Sequence, residues 1–184
     1  MQPKRTFHIR QLFIFCAVAL LIVAVLGLLN WLPSLMQKQR LKHFSSIDTI
    51  KKELRIKTVY LPTFLPEELD LAWPPTEMYA QDNPFPAVMM HFTRKGTSEI
   101  RLIIHQVDSK AAYEFKPRIR IRERHAASLM TLKNRQAHLT PAVCDNDLPC
   151  NQLSWNEGGT TITLIGIFPA RDLIRIAASM LPGD

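Results

Sequence analysis

The sequence predicts an α+β protein: one N-terminal transmembrane helix, then a small antiparallel-sheet domain closed by a C-terminal helix. Three observations predict this class. Residues 12–29 are almost wholly apolar, strand-like runs bounded by turn residues fill the middle of the chain, and a helical pattern ends it. Because strands and helices do not alternate regularly, the expected sheet is antiparallel.

The N-terminal apolar run has the length of a membrane span. No charged residue lies between Arg10 and Lys38, and a helix needs about 20 apolar residues to cross roughly 30 Å of hydrocarbon. A buried core helix and a cleavable signal peptide are the alternatives. The run is longer than a usual signal core, and no A-x-A-like cleavage site follows it. We therefore expect an uncleaved signal anchor.

These patterns divide the chain into four parts. We expect a cytoplasmic tail over residues 1–11, the anchor over 12–36, a basic juxtamembrane helix or stalk over 37–57 and an extracytoplasmic α+β domain over 58–184. Apolar residues recur every three or four positions in the stalk. This stripe could lie on the bilayer, pack on the domain or meet a partner helix.

Turn residues locate two hairpins and the closing helix of the domain. Prolines punctuate residues 60–87 and exclude a long helix there. The first hairpin joins PAVMMHFTR to EIRLIIHQVD, and the second joins QLSW to TTITLIGIF through the turn NEGG. The last element, PARDLIRIAASML, begins with a proline that suits a first helical turn and ends at Pro182-Gly183.

The positive charge of the chain belongs mainly to its N-terminal part. The formal net charge is +7, but six of the 23 basic residues and none of the 16 acidic ones lie in the first 44 positions. The other 17 basic and 16 acidic residues leave +1 for residues 45–184. Basic residues beside a span meet anionic head groups. Nucleic acid is therefore not expected as a partner.

Cys144 and Cys150 indicate the compartment of the domain. They frame the short polar loop CDNDLPC, which closes as a disulfide only under oxidising conditions. Closure of so short a loop is worth roughly 2 kcal/mol. A zinc site would need C-x2-C spacing and further ligands nearby, which the loop lacks. We therefore expect a disulfide and a domain outside the cytoplasm.

The segments VYLPTFLPEEL, IRLIIHQ, LSWNEGGTTITLIGIF and DLIRIAASM together resemble a known domain. Over residues 58–181 the chain is similar to an extracytoplasmic domain of unknown function that follows the membrane span of some bacterial anti-sigma factors and occurs in sporulation lipoproteins. More distantly it resembles half of the lipoprotein-carrier and lipoprotein-sensor fold. The resemblance implies a bacterial protein. Together with the expected anchor and disulfide, it predicts a single-pass protein of the bacterial inner membrane with its C-terminal domain in the periplasm.

Motifs of catalysis are absent from the sequence. It contains no G-x-S-x-G, no H-E-x-x-H, no P-loop and no glycine-rich dinucleotide turn. We therefore predict no catalytic residue, no cofactor, no metal and no small-molecule substrate. His91 and His105 could face each other across the first hairpin if its turn centres on Ser98, giving a metal-binding or pH-sensitive pair. The alternative is two independent histidines.

The most suggestive functional feature is a row of alternating arginines, Arg118, Arg120, Arg122 and Arg124. In an extended chain they lie on one face, and the intervening isoleucines lie on the other. Such a row suits bidentate contacts with carboxylates or phosphates. A solvated strand face is one alternative. The start of a helix, which would disperse the arginines, is the other.

Three functions fit these features. The first is a non-enzymatic accessory or assembly subunit that docks on an integral membrane protein complex or on anionic lipid through the span, the stalk and the arginines. The second is a module that binds or senses lipid or lipoprotein, for which an unfilled apolar cavity between sheet and closing helix is expected. The third is an enzyme, supported only by the two histidines.

Overall fold

The computed structural model describes residues 17–23, 25–27, 41–54, 56, 58–111 and 118–182. The chain divides into two compact units, Met1–Arg40 and Leu41–Asp184. In the first unit, residues 17–23 and 25–27 are helical and their side chains are exposed. The second unit contains the folded domain.

The predicted N-terminal transmembrane helix is wrong. In the described ranges, no helix is long and apolar enough to cross a membrane. The predicted cytoplasmic tail, and residues 12–16, 24 and 28–36 of the predicted anchor, lie outside the described residues.

The second unit is mostly antiparallel sheet. Its strands are β1 (Lys42–Phe44), β2 (Tyr60–Pro62), β3 (Glu77–Gln81), β4 (Ala87–Thr93), β5 (Ile100–Asp108), β6 (Ile121–Arg124), β7 (Ser128–Leu132), β8 (Arg135–Cys144), β9 (Pro149–Glu157), β10 (Thr160–Gly166) and β11 (Met180–Pro182). Its helices are α1 (Ile47–Leu54) and α2 (Ala170–Ala178), with short 3-10 turns at Glu67–Leu69 and Asp145–Asp147.

The predicted α+β class is therefore corrected to a mainly antiparallel β fold with few helices. The difference comes largely from residues 121–144, which form three strands. A two-residue turn after Leu132 pairs β7 with β8, so that Leu132 lies opposite Arg135. Lys133 in that turn has a φ of 53°. This pairing buries Leu132 and Ala137 in the core, which an isolated helical turn would not do.

Two sheets organise the domain. The larger has the strand order β1-β3-β4-β5-β10-β9-β8-β6, and β7 also pairs with β8. The smaller consists of β2 and β11. Gln106, which is buried, joins β2 to the larger sheet: its amide accepts the N–H of Tyr60 at 2.8 Å and donates to the carbonyl of Tyr60 at 2.6 Å. The Gln106 side chain thus forms with Tyr60 the two hydrogen bonds that the backbone of a neighbouring strand would form.

Both faces of the central strands are buried. All seven residues of β4 and six consecutive residues of β5 are buried. On one face, the first core includes Phe92, Ile104 and Leu164 and is closed by α2 through Leu173 and Ile176. The stripe of the predicted stalk also packs there, since Ile50 and Leu54 of α1 are buried in this core.

A smaller second core covers the opposite face. Its central members are Met89, Ile103 and Ile165, and the two cysteines and Ile119 pack against them. Ile119 precedes β6, so residues 118–124, which we call the arginine segment, supply part of this cover. The position of that segment is therefore fixed by the need to bury the second face.

Candidate functional site

The arginine segment lies at the edge of the larger sheet. Residues 121–124 form β6, which pairs with β8, so the extended arrangement is observed and the helical alternative is not. Ile119 is buried and Ile121 is half-buried, while all four arginines are exposed. The alternation of isoleucine and arginine therefore separates a packed side from a solvated side.

A β-bulge interrupts this alternation near the end of the segment. Ile121 pairs with Cys144, but Glu123 pairs with Val143 and Arg124 with Ala142. Residues that pair across two strands share a sheet face, and Ala142 and Cys144 both belong to the second core. Arg124 therefore follows the face of Ile121, and the four arginines do not form one continuous row.

Two of the arginines are in ion pairs within the domain. Arg118 donates to Glu77 Oε2 at 2.8 Å and to the Tyr79 hydroxyl at 3.2 Å. Arg122 donates to Asp147 Oδ1 at 2.6 Å. The side chains of Arg120 and Arg124 form no ion pair with any residue that the structure describes. These two guanidiniums are available to an external carboxylate or phosphate.

The Cys144–Cys150 disulfide is present and buried. The Cα atoms of the two cysteines are 5.8 Å apart. The loop that it closes holds the arginine segment: Asp145 accepts the backbone N–H of Arg120 at 3.4 Å, and Asp147 accepts the Arg122 guanidinium. The disulfide loop therefore anchors the backbone on which Arg120 is exposed.

Glu77 anchors the other end of the segment. Its Oε2 accepts hydrogen bonds from Arg118, from the Tyr79 hydroxyl at 3.1 Å and from His91 Nδ1 at 3.0 Å. The hydrogen bond from His91, aided by the other donors, lowers the pKa of Glu77. Burial, aided by the hydrogen bond to Glu77, raises the pKa of Tyr79. The carboxylate is therefore ionised and ties Arg118 to the sheet.

His91 and His105 lie on the same sheet face but not opposite each other. His91 pairs with Ile103 and His105 with Met89, so the two histidines are diagonal neighbours. The first hairpin turns between Gly96 and Thr97, since Thr93 pairs with Ile100, so its register differs from the one that a turn centred on Ser98 would give. Among the described residues, no three His, Cys, Asp or Glu side chains are grouped to hold a metal ion.

A groove that the sequence did not predict lies beside the small sheet. This apolar groove has a volume of about 820 Å³ and is lined by residues 61–67, Leu71, Trp73, Lys95, Leu181 and Pro182. Phe64, Trp73 and Leu181 are 40%, 54% and 48% exposed. The available signal was the apolar side chains between prolines in a segment without strand alternation. Exposed apolar surface of this kind is often functional.

Burial of the histidines makes the domain sensitive to acid. Burial lowers the pKa of His91 and lowers that of His105 to about 4. In the unfolded chain a histidine binds a proton near pH 6.5, whereas the two buried histidines of the folded domain do not. The free energy of unfolding therefore decreases as the pH falls from about 6.5 towards 4.

The free energy of unfolding of the parent should decrease between pH 7 and pH 5. We expect this decrease to be about 2 kcal/mol smaller in His105→Gln. His138 is exposed, so His138→Gln is the matched control and should leave the loss unchanged. Urea unfolding of the three proteins at both pH values measures the effect. An identical loss in the parent and His105→Gln would contradict it.

Comparison with known proteins identifies no relative: no family model, no curated protein and no solved structure matches the chain. The resemblance to the extracytoplasmic domain of anti-sigma factors and sporulation lipoproteins is untested by these comparisons and stays a prediction.

Proposed function

We propose that the protein is a non-enzymatic accessory or assembly subunit that works outside the cytoplasm, in the bacterial cell envelope, and docks on a larger membrane protein complex. The observation that carries the proposal is the exposure of Arg120 and Arg124 on a segment that is fixed at both ends. Arg118 is bound to Glu77, and Arg122 is bound to Asp147. Arg120 lies between these two anchored arginines and Arg124 follows them. Both guanidiniums are exposed to solvent.

Rigidity of the backbone favours binding through these side chains. Ile119 is 6% exposed, and the neighbouring loop is closed by the disulfide. A surface that is already ordered has less conformational entropy to lose when a partner binds. Guanidiniums on such a surface suit bidentate contacts with carboxylates. The partner surface is therefore acidic.

The disulfide supports the proposed compartment. Disulfides persist outside the cytoplasm and are rare inside it, where thiols are kept reduced. The bond between Cys144 and Cys150 is buried in the second core, so it is part of the packing of the domain.

Replacement of Arg120 and Arg124 by Gln should weaken co-purification with the partner complex from native membranes. Both side chains are exposed, so the change in unfolding free energy is expected within about 0.5 kcal/mol. The association of the parent should also weaken between low and high salt, because exposed charges are screened.

Arg171→Gln is the matched control, since the Arg171 side chain is 82% exposed and lies on α2. It should retain the companions of the parent. If the Arg120 and Arg124 double variant brings down the same proteins as Arg171→Gln at both salt concentrations, the arginines are only a solvated surface.

A module that binds lipid or lipoprotein is the second candidate function, and the apolar groove favours it. The cavity expected between sheet and closing helix is filled, since Leu173, Ile176 and Ala177 are completely buried. The groove outside it is within the roughly 300–1,000 Å³ of small-molecule sites, and Lys95 at its lining could bind an anionic head group. Its proposed occupant is an acyl chain.

Leu181→Asp should then remove lipid from the purified full-length protein, because the carboxylate would have to be desolvated beside the chain. Leu148→Asp is the matched control: Leu148 is 38% exposed, lies within the disulfide loop and does not line the groove. Mass spectrometry of the extracted lipids measures the difference. Equal lipid content in the two variants, or none in the parent, would exclude this function.

A further inference from the structure

We propose that β7 is the site at which the partner adds a strand to the larger sheet. The partner segment is an extended chain with uncharged residues in its centre and carboxylates at its ends. The inference rests on the proposed docking function and specifies how it occurs. Strand addition involves the backbone of β7, whereas docking through Arg120 and Arg124 involves side chains of the neighbouring segment.

The outer side of β7 is an open edge. β7 and β6 both pair with β8, whose opposite side is paired with β9. No further strand pairs with β7 in the part of the chain that the structure describes. An unpaired edge presents a row of backbone N–H and C=O groups that can template another strand.

The direction of the free backbone groups follows from the hairpin. The two-residue turn after Leu132 makes the pair Leu132–Arg135 the first of the ladder, and alternate residues of an antiparallel strand direct their N–H and C=O groups to the same neighbour. Leu132 and Met130 therefore bond to β8. Leu129 and Thr131 direct their backbone groups outward, where an added strand would lie.

The other edge strands of the described domain have features that hinder pairing with another chain, and β7 lacks these features. β1 has three residues and includes Lys42, and the small sheet contains Pro62 and Pro182. β6 carries charges and a bulge. β7 is Ser-Leu-Met-Thr-Leu, without charge, proline or glycine, and Leu129 is 60% exposed. Charges, prolines, bulges and short length are the usual defences of an edge.

Charge at the two ends of β7 decides the kind of partner. Arg124 precedes the strand and Lys133 follows it, and both are exposed. A second copy of the chain, pairing antiparallel about Met130, would place Lys133 opposite Ala127, about 10 Å from Arg124 of that copy. Charges of like sign at this distance repel each other at low salt. Carboxylates at both ends of an added strand would instead neutralise them.

The test uses the full-length protein and a fluorescein-labelled peptide, Asp-Glu-Val-Thr-Val-Thr-Val-Glu-Asp, with fluorescence anisotropy as the readout. Thr131→Pro removes an outward N–H and spares the bonds to β8, so it should weaken binding at least tenfold. Thr131→Val keeps the N–H and should bind like the parent. A peptide with lysine in place of its four acidic residues should bind at least tenfold more weakly.

Equal affinity of Thr131→Pro and Thr131→Val, or no binding of the acidic peptide by the parent, would overturn strand addition. Leu129→Lys places an edge-protecting charge on the strand and replaces Thr131→Pro if the latter lowers the unfolding midpoint. Self-association of the parent that Leu129→Lys abolishes would assign the edge to a second copy and overturn the proposed partner. If the Arg120 and Arg124 double variant loses its companion proteins while Thr131→Pro keeps them, strand addition is overturned. The docking function would then still stand.

Discussion

The domain depends on the burial of its two central strands on both faces. Every residue of β4 is buried, so the sheet needs a cover on each side, since apolar area left in water costs about 25 cal/mol per Å². Helices α1 and α2 supply one cover. The disulfide and the isoleucines of the arginine segment supply part of the other. That second cover includes parts of β6, β8 and β9, and the disulfide and specific hydrogen bonds hold it.

The same constraint explains how the proposed interaction surface is held on the sheet. Ile119 packs inward, and the residues beside it in the sequence point outward because side chains alternate in an extended chain. Glu77 and Asp147 neutralise Arg118 and Arg122, which fixes the segment and leaves Arg120 and Arg124 exposed. Arg120 thus alternates with the two isoleucines, whereas the bulge places Arg124 on the face of Ile121. The uncharged edge of β7 follows the arginine segment after residues 125–127.

The parts of the structure that were predictable are those set by local sequence. The turn NEGG and the alternation beside it located the β9–β10 hairpin, and the cysteine spacing located the disulfide. Residues 125–135 suit a helix as well as a strand, and only pairing with β8 decides between them. The histidine register depended on where the first hairpin turns, which is between Gly96 and Thr97 and not at Ser98. The groove joins residues 61–73 to Leu181, which are distant in sequence. The apolar N-terminal run suggested a span that the described helical residues do not support.

Hydrogen exchange of the full-length protein with and without the disulfide tests most directly whether the loop fixes the binding segment. Replacement of Cys144 and Cys150 by Ser removes the bond at a cost of roughly 2 kcal/mol. If the loop holds the segment, the amides of Ile121–Arg124 should exchange at least tenfold faster in the variant, while those of α2 keep their protection, because local opening is independent of the distant core. Unchanged protection of β6, or an equal loss of protection in β6 and α2, would contradict the anchoring role of the disulfide loop.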